Sequence, residues 1–310
     1  MNDSAVIDHS RQVMNQHART FSLAARLFPQ HTRDDVAVTY AFCRLVDDTV
    51  DDAPDPNLAA SELRKIQDEF RGDRAPRPLL RVFRALCERH DIPRGAVHEL
   101  TVGVGSDVGL IRFEDDRDLL RYAYRVAGTV GLIMARLIGA TDPLAMPHAV
   151  DLGVGMQITN ICRDVLEDAQ RNRVYLPAKR LRAHGVDPEE LIAGTAQREA
   201  VARVVSDLLI LGDRYYASGN AGLHYIPRVP RAAVASAARM YRGIGVKIER
   251  GGYDVLSGRT VVGASGKLKW FMTGLGHSAL CESEGRQKHD AQLHLPFDGF
   301  EGVNTPVSTP

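Results

Sequence analysis

Apolar residues recur at three- and four-residue intervals along most of the chain, and no alternating run long enough for a strand interrupts them, so the pattern predicts an all-α protein. Thr32, with Asp35 three residues on, resembles a capping box opening a first helix that Pro54 and Pro56 close. Helical periodicity resumes over 58–70, 79–90 and 95–108, punctuated by Gly72, Pro76, Pro78 and Pro93. One long helix is predicted over 118–139, and its Ala127-Gly128-Thr129-Val130-Gly131 segment permits a close backbone approach or a local kink. No strand precedes that segment, so it is not a nucleotide loop. Asp142-Pro143 caps the next helix, which runs to about Gln170. Further helices are predicted over 188–193, 197–218, 230–250 and 265–282. The chain reads as one domain, 1–283, and a polar, disordered tail, 284–310.

Two polar stripes break the apolar pattern. Tyr40, Arg44, Asp47 and Asp51 are spaced by four, three and four residues, and Gln157, Asn160, Asp164 and Asp168 by three, four and four, so each set lies along one helix face. Both stripes cross apolar stretches and point where core is expected, and buried charge is costly unless paired or metal-bound. Taken alone, the acidic run 47–52 is more readily a solvated helix end than a metal site. Two matched stripes, each with an arginine (Arg44, Arg163), suit a diphosphate held between helices by divalent metal. Carboxylate and amide oxygens without nearby His or Cys favour Mg²⁺, or Mn²⁺. Beyond the second stripe, the basic and aromatic segment 171–177 is placed to close over an anion.

Composition removes some classes. Zero formal net charge over 310 residues argues against a general nucleic-acid binder. Only six of the 39 basic residues are lysine, a bias that suits guanidinium forks on diphosphate but equally follows from a genome's base composition. Cys43, Cys87, Cys162 and Cys281 form no CxxC pair and follow no secretory leader, which predicts reduced cytosolic thiols, with Cys43 and Cys162 read as packing. The longest apolar run, 126–140, carries Arg136 and falls short of the roughly 20 residues of a bilayer span. The expectation is a cytoplasmic protein, soluble or peripheral at the membrane.

Over about 17–269 the chain resembles the squalene/phytoene synthase family, the head-to-head trans-isoprenyl diphosphate synthases. The resemblance rests on Thr20-Phe21-Ser22, on Tyr40-Ala41-Phe42-Cys43-Arg44 leading into the first acidic run, on 122–131, and on Gln157-Ile158-Thr159-Asn160-Ile161-Cys162-Arg163-Asp164 followed by Glu167-Asp168 and 173–177. It implies a single-domain class I terpenoid synthase bundle with a central substrate cavity. It also implies that Asp47, Asp51, Asn160, Asp164 and Asp168 hold magnesium, that Arg44, Arg163, Tyr241 and Arg259 bind diphosphate, and that Tyr40, Tyr124 and Tyr175 line the reacting centre. Asp48, Asp52 and Glu167 fall off the main stripes. Ala127, Gly128, Val130, Gly131, Leu132 and Met134 either line a tail channel or pack against neighbouring helices.

The reaction so implied joins two molecules of geranylgeranyl diphosphate 1-1′, through a cyclopropylcarbinyl diphosphate, to phytoene for carotenoid biosynthesis, without NADPH. The segment 237–249 is similar to bacterial phytoene synthases, and no eukaryotic-type C-terminal anchor follows. The family alternative is a C30 product (dehydrosqualene, presqualene diphosphate or squalene) from two farnesyl diphosphates. A terpene cyclase would take one diphosphate, and the Tyr-Arg approach to the first motif and the 173–177 segment disfavour it. A noncatalytic assembly or binding member would have lost ligands that this chain retains. The lipid product predicts transient membrane contact; the sequence sets no oligomeric state.

Overall fold

Proline and aspartate set where several helices begin. In the computed structural model, which describes residues 2–18, 22, 24–280 and 289–300, α1 (Asp3–His17) is capped by Asn2 and α2 (Gln30–Asp51) follows Pro29. Helices α3 (Pro56–Arg71), α4 (Pro78–Arg89) and α5 (Arg94–Gly105) come next, with Asp55 capping α3 and Pro93 preceding α5. The predicted Thr32–Asp35 capping box does not form: α2 begins two residues before Thr32, which is buried, and Asp35 instead pairs with Arg89 and His90 of the α4 end.

The long helix expected over 118–139 is three pieces: α6 (Asp116–Ala123), a π-turn (Tyr124–Gly128) and α7 (Thr129–Leu137). The π-turn inserts one extra residue between the two α-helical pieces. Helix α8 (Ala145–Gln170) follows and packs against α7, α11 (Arg198–Ala221) and α12 (Arg228–Arg250). Two glycines let the backbones touch: a Cβ at Gly131 would lie 2.1 Å from the Ala149 carbonyl oxygen, and one at Gly153 would lie 2.2 Å from that of Ala127.

Short helices α9 (Ala178–Ala183) and α10 (Pro188–Ala193) and the final α13 (Ala264–Leu280) complete the helical set among the described residues. One small departure from all-α is a two-residue parallel ladder, β1 (Ile111–Arg112) on β2 (Arg173–Val174), which pins the 171–177 connection. The stacked pair Phe42 and Phe83, 4.1 Å between centroids, with Phe70 beside them, locks α2 to α3 and α4.

The tail departs from expectation over 289–300. There a 3₁₀ segment (Ala291–Phe297) lies on the bundle with Leu293, Phe297 and Phe300 buried, because these three apolar side chains supply the core contacts that the polar residues around them lack. Thr20, Phe21 and Cys281 lie outside the described residues.

Candidate active site

The last turns of α2 and the C-terminal half of α8 face each other across one cleft of about 400 Å³, lined by Arg44, Asp47 and Asp51 from the first and by Gln157, Asn160, Arg163, Asp164 and Asp168 from the second. The two stripes read from the sequence are thus brought together, but they face an open cleft rather than sealed core: Asp47 and Asp51 are exposed to it.

Protein crowding around Asp47 and its neighbour Asp51 push its carboxyl up to about 7, against the pull of Arg44. Burial and Asp164 do the same for Asp168, also to about 7, opposed by Arg173 and Arg171. Asp164 is clamped between two guanidinium groups, Arg163 Nε at 2.7 Å and Arg259 Nε at 3.0 Å, and Arg259 reaches on to Glu167 at 3.3 Å. Arg44 pairs with Asp48, and Arg173 with Asp51 at 3.0 Å. Arginines expected on diphosphate are therefore engaged with carboxylates in or beside the cleft, and an arriving anion would exchange with them.

This donor set fits a divalent cation. Asp47, Asp51, Asn160, Asp164 and Asp168 share the cleft, two of these carboxyls resist ionisation there, and Asn160 Oδ1 is buried without a hydrogen-bond partner. A hard cation would relieve all three conditions.

Two residues to which the sequence reading gave no role complete the cleft, Asp107 and Tyr122, and Arg171 and Arg173 of the 171–177 connection line it as well. Asp107 accepts from Tyr122 Oη at 2.8 Å and from Tyr175 Oη at 3.0 Å. Burial nevertheless lifts its carboxyl to about 6, the two phenols and Arg173 opposing the rise. Tyr175, expected at the reacting centre, lines the cleft. Tyr124 lines neither cleft nor channel: it is fully buried, its ring 5.1 Å from Phe297 and 5.4 Å from Phe300. A regular helix would carry the channel-facing stripe of Ala127 back to Ala123 and Tyr124, four and three residues before, whereas the extra residue of the π-turn brings Tyr122, which lines the adjoining cleft, toward that face.

Behind the cleft opens an apolar channel of about 290 Å³. Tyr40 and Tyr241 stand in its wall, both with hydroxyls pushed up by burial, and so do Ala127, Val130, Gly131 and Met134. Gly128 and Leu132 pack between helices instead; a Cβ on Gly128 would meet Tyr124 and Val150. Gln157 and Asn160 line both cleft and channel, so the two spaces meet there. Cys162 packs in the core, its thiol raised by burial to about 12, whereas Cys43, its thiol also raised by burial, is half-buried and lines the channel.

The sequence model of the family described as squalene/phytoene synthase matches residues 14–265. A 15-cis-phytoene synthase of Pantoea ananas is 32% identical over 305 residues, covering 94% of this chain and 98% of that protein. A phytoene synthase of Thermus thermophilus is 41% identical over 255 residues, covering 80% and 85%. Among solved structures, a dehydrosqualene synthase in complex with ligand superposes with a TM-score of 0.80 at 24% identity, covering 91% of this chain and 98% of that one, a match of fold.

Proposed function

The chain belongs to the squalene/phytoene synthase family, and from that premise we propose that it is a phytoene synthase condensing two geranylgeranyl diphosphates head to head. The observation that carries this reading is the junction at Gln157 and Asn160, where a carboxylate- and arginine-lined cleft opens into an apolar channel. An amphiphile with a diphosphate head and an isoprenoid tail matches both halves. The curated relatives named phytoene synthase favour the C20 substrate over the C15 one.

The family works with divalent metal on prenyl diphosphates. Mg²⁺ is the proposed ion here, held by Asp47, Asp51, Asn160, Asp164 and Asp168; when bound, it supplies charge neutralisation for the departing diphosphate. Arg44, Arg163, Arg259 and Tyr241 bind and orient the diphosphates, the arginines leaving their carboxylate partners to do so. Tyr40, Tyr122 and Tyr175 present ring faces to the allylic cation left when the carbon–oxygen bond breaks. The apolar channel keeps water from that cation. Attack by the second substrate's double bond and loss of a proton give the cyclopropylcarbinyl diphosphate; a second ionisation, rearrangement and proton loss give the 1-1′ product. Each stage releases one diphosphate and one proton, and neither needs a covalent protein nucleophile.

No helix among the described residues is long and apolar enough to cross a membrane. Transient contact of this protein with the cytoplasmic membrane surface is part of the proposal, supported by Leu268 and Met272 of α13, which are 60% and 57% exposed beside Lys269. Liposome flotation checks it; no association, with or without substrate, would count against it.

The deciding experiment for the activity offers geranylgeranyl and farnesyl diphosphate separately to purified protein with Mg²⁺, with and without NADPH, and reads products by mass spectrometry. Phytoene from the C20 substrate alone is expected. A C30 product would move the protein to the family alternative, and a cyclised terpene from one diphosphate would refute the two-substrate reading.

A further inference from the structure

Asp151 lies on α8, well before the polar stripe, and has no exposed surface. Its carboxylate accepts from Ser218 Oγ on α11 and is met by two imidazoles of the C-terminal segment, His289 Nε2 at 2.8 Å from Oδ2 and His294 Nε2 at 3.0 Å from Oδ1. The three ligating atoms fall within 4.8 Å of one another, and no other trio of His, Cys, Asp or Glu among the described residues converges so closely. Both imidazoles are nearly covered, 15% and 11% exposed. Burial raises the Asp151 carboxyl, but hydrogen bonds from His289, His294 and Ser218 outweigh it and hold the group below the ordinary carboxylate range. The aspartate is therefore ionised at neutral pH and oriented by a hydroxyl, as ligating carboxylates are.

We propose that Asp151, His289 and His294 form a second metal site, separate from the acidic cleft, that takes a divalent transition ion, Zn²⁺ first. Two imidazole nitrogens and one carboxylate oxygen are a Zn²⁺-type donor set, unlike the all-oxygen cleft that suits Mg²⁺. Three protein ligands leave one tetrahedral position for water. The ion staples the C-terminal segment to α8 and α11. That segment in turn backs the π-turn: Phe297 and Phe300 pack on Tyr124, and the Arg121 guanidinium lies 3.7 Å over Phe300. The role of this site is structural, and it holds whichever prenyl diphosphate the cleft accepts.

The test uses the full chain, stripped by chelator and returned to excess Mg²⁺ so that the acidic cleft is saturated. Zn²⁺ is then titrated against a chromophoric chelator. One tight equivalent is expected. His289→Ala and His294→Ala should each weaken it by about 10²-fold or more, and Ser218→Ala by about 10-fold. Hydrogen exchange over 289–300 should slow on adding Zn²⁺ to wild-type protein. Co²⁺ in place of Zn²⁺ should give the intense visible absorption of a low-coordinate site, a readout that needs no variant to fold. Absence of a stoichiometric Zn²⁺ equivalent, affinity unchanged in both histidine variants, or a weak six-coordinate Co²⁺ spectrum would each overturn the proposal and leave a hydrogen-bonded triad only.

Discussion

Tyr122 and Tyr175 donate their hydroxyls to the two oxygens of one carboxylate, that of Asp107, and their rings stand 5.1 Å apart. The shared acceptor fixes both rings at the wall of the cleft, one from α6 and the other from the connection beyond β2. Neighbouring Tyr124 belongs to the opposite face, sealed under Phe297 and Phe300.

Tyr122→Phe should therefore lower kcat, by about 10-fold or more, because the ring loses the hydrogen bond that aims it. Tyr124→Ala should act on stability, costing about 3–5 kcal/mol as a large aromatic leaves a filled core. Steady-state kinetics and thermal melts on the two variants separate these effects; a turnover defect in a stably folded Tyr124 variant larger than that of Tyr122→Phe would contradict the placement.

The missed tyrosine shows what the sequence carried and what it did not. Most helix positions and both polar stripes were legible because three- and four-residue spacing is a property of the chain alone, although α1 was not read from it. The choice between Tyr122 and Tyr124 depends on a single extra residue in the π-turn, which no periodicity announces. Asp107 was invisible for a related reason: it sits just past the end of α5, outside any stripe, and becomes a site residue only when Tyr122 and Tyr175 converge on it. The apolar side chains Leu293, Phe297 and Phe300 were too sparse among polar neighbours to signal that 289–300 packs on the bundle.

Asp107 also predicts a pH effect. Its folded-state carboxyl is raised by burial from 3.8 to about 6, so between those values the folded state binds more protons than the unfolded one, and stability falls as pH rises through that window. Relative to Asp107→Asn, wild-type protein should lose melting temperature from about pH 4 to about pH 6, and the difference should level off above the latter. A difference that is flat across this window would remove the claimed burial effect. Turnover in Asp107→Asn should fall by about 10-fold or more, since the amide keeps one acceptor oxygen where the carboxylate offered two and one tyrosine loses its anchor.

Asp47→Ala and Asp164→Ala should nearly abolish turnover, by about 10³-fold or more, while circular dichroism remains helical. The two should differ in substrate binding. Asp164→Ala also releases Arg163 and Arg259 from their clamp, so its affinity for inorganic diphosphate in the absence of metal should rise, whereas Asp47→Ala should show no such gain. Binding calorimetry without metal distinguishes them, and wild-type rates in either folded variant would overturn the metal assignment.

Chain length should be set on α8 itself. Asn160 marks the junction of cleft and channel, and Ala149 lines the channel eleven residues earlier, or about 16 Å along the helix at 1.5 Å per residue. A phenyl ring at Ala149 would fill the space that the distal part of a long tail needs while leaving the cleft untouched. Ala149→Phe should therefore depress kcat/KM for the C20 diphosphate by about 10²-fold and that for the C15 diphosphate by about 10-fold or less, shifting the product toward C30, an effect of steric exclusion of the magnitude that overpacking gives. Competition between the two substrates in one tube reads the ratio directly. Should the ratio stay at its wild-type value in a folded variant, the tail does not run past Ala149, and the length limit must lie along α12, near Ala233 and Ala237, which line the same channel.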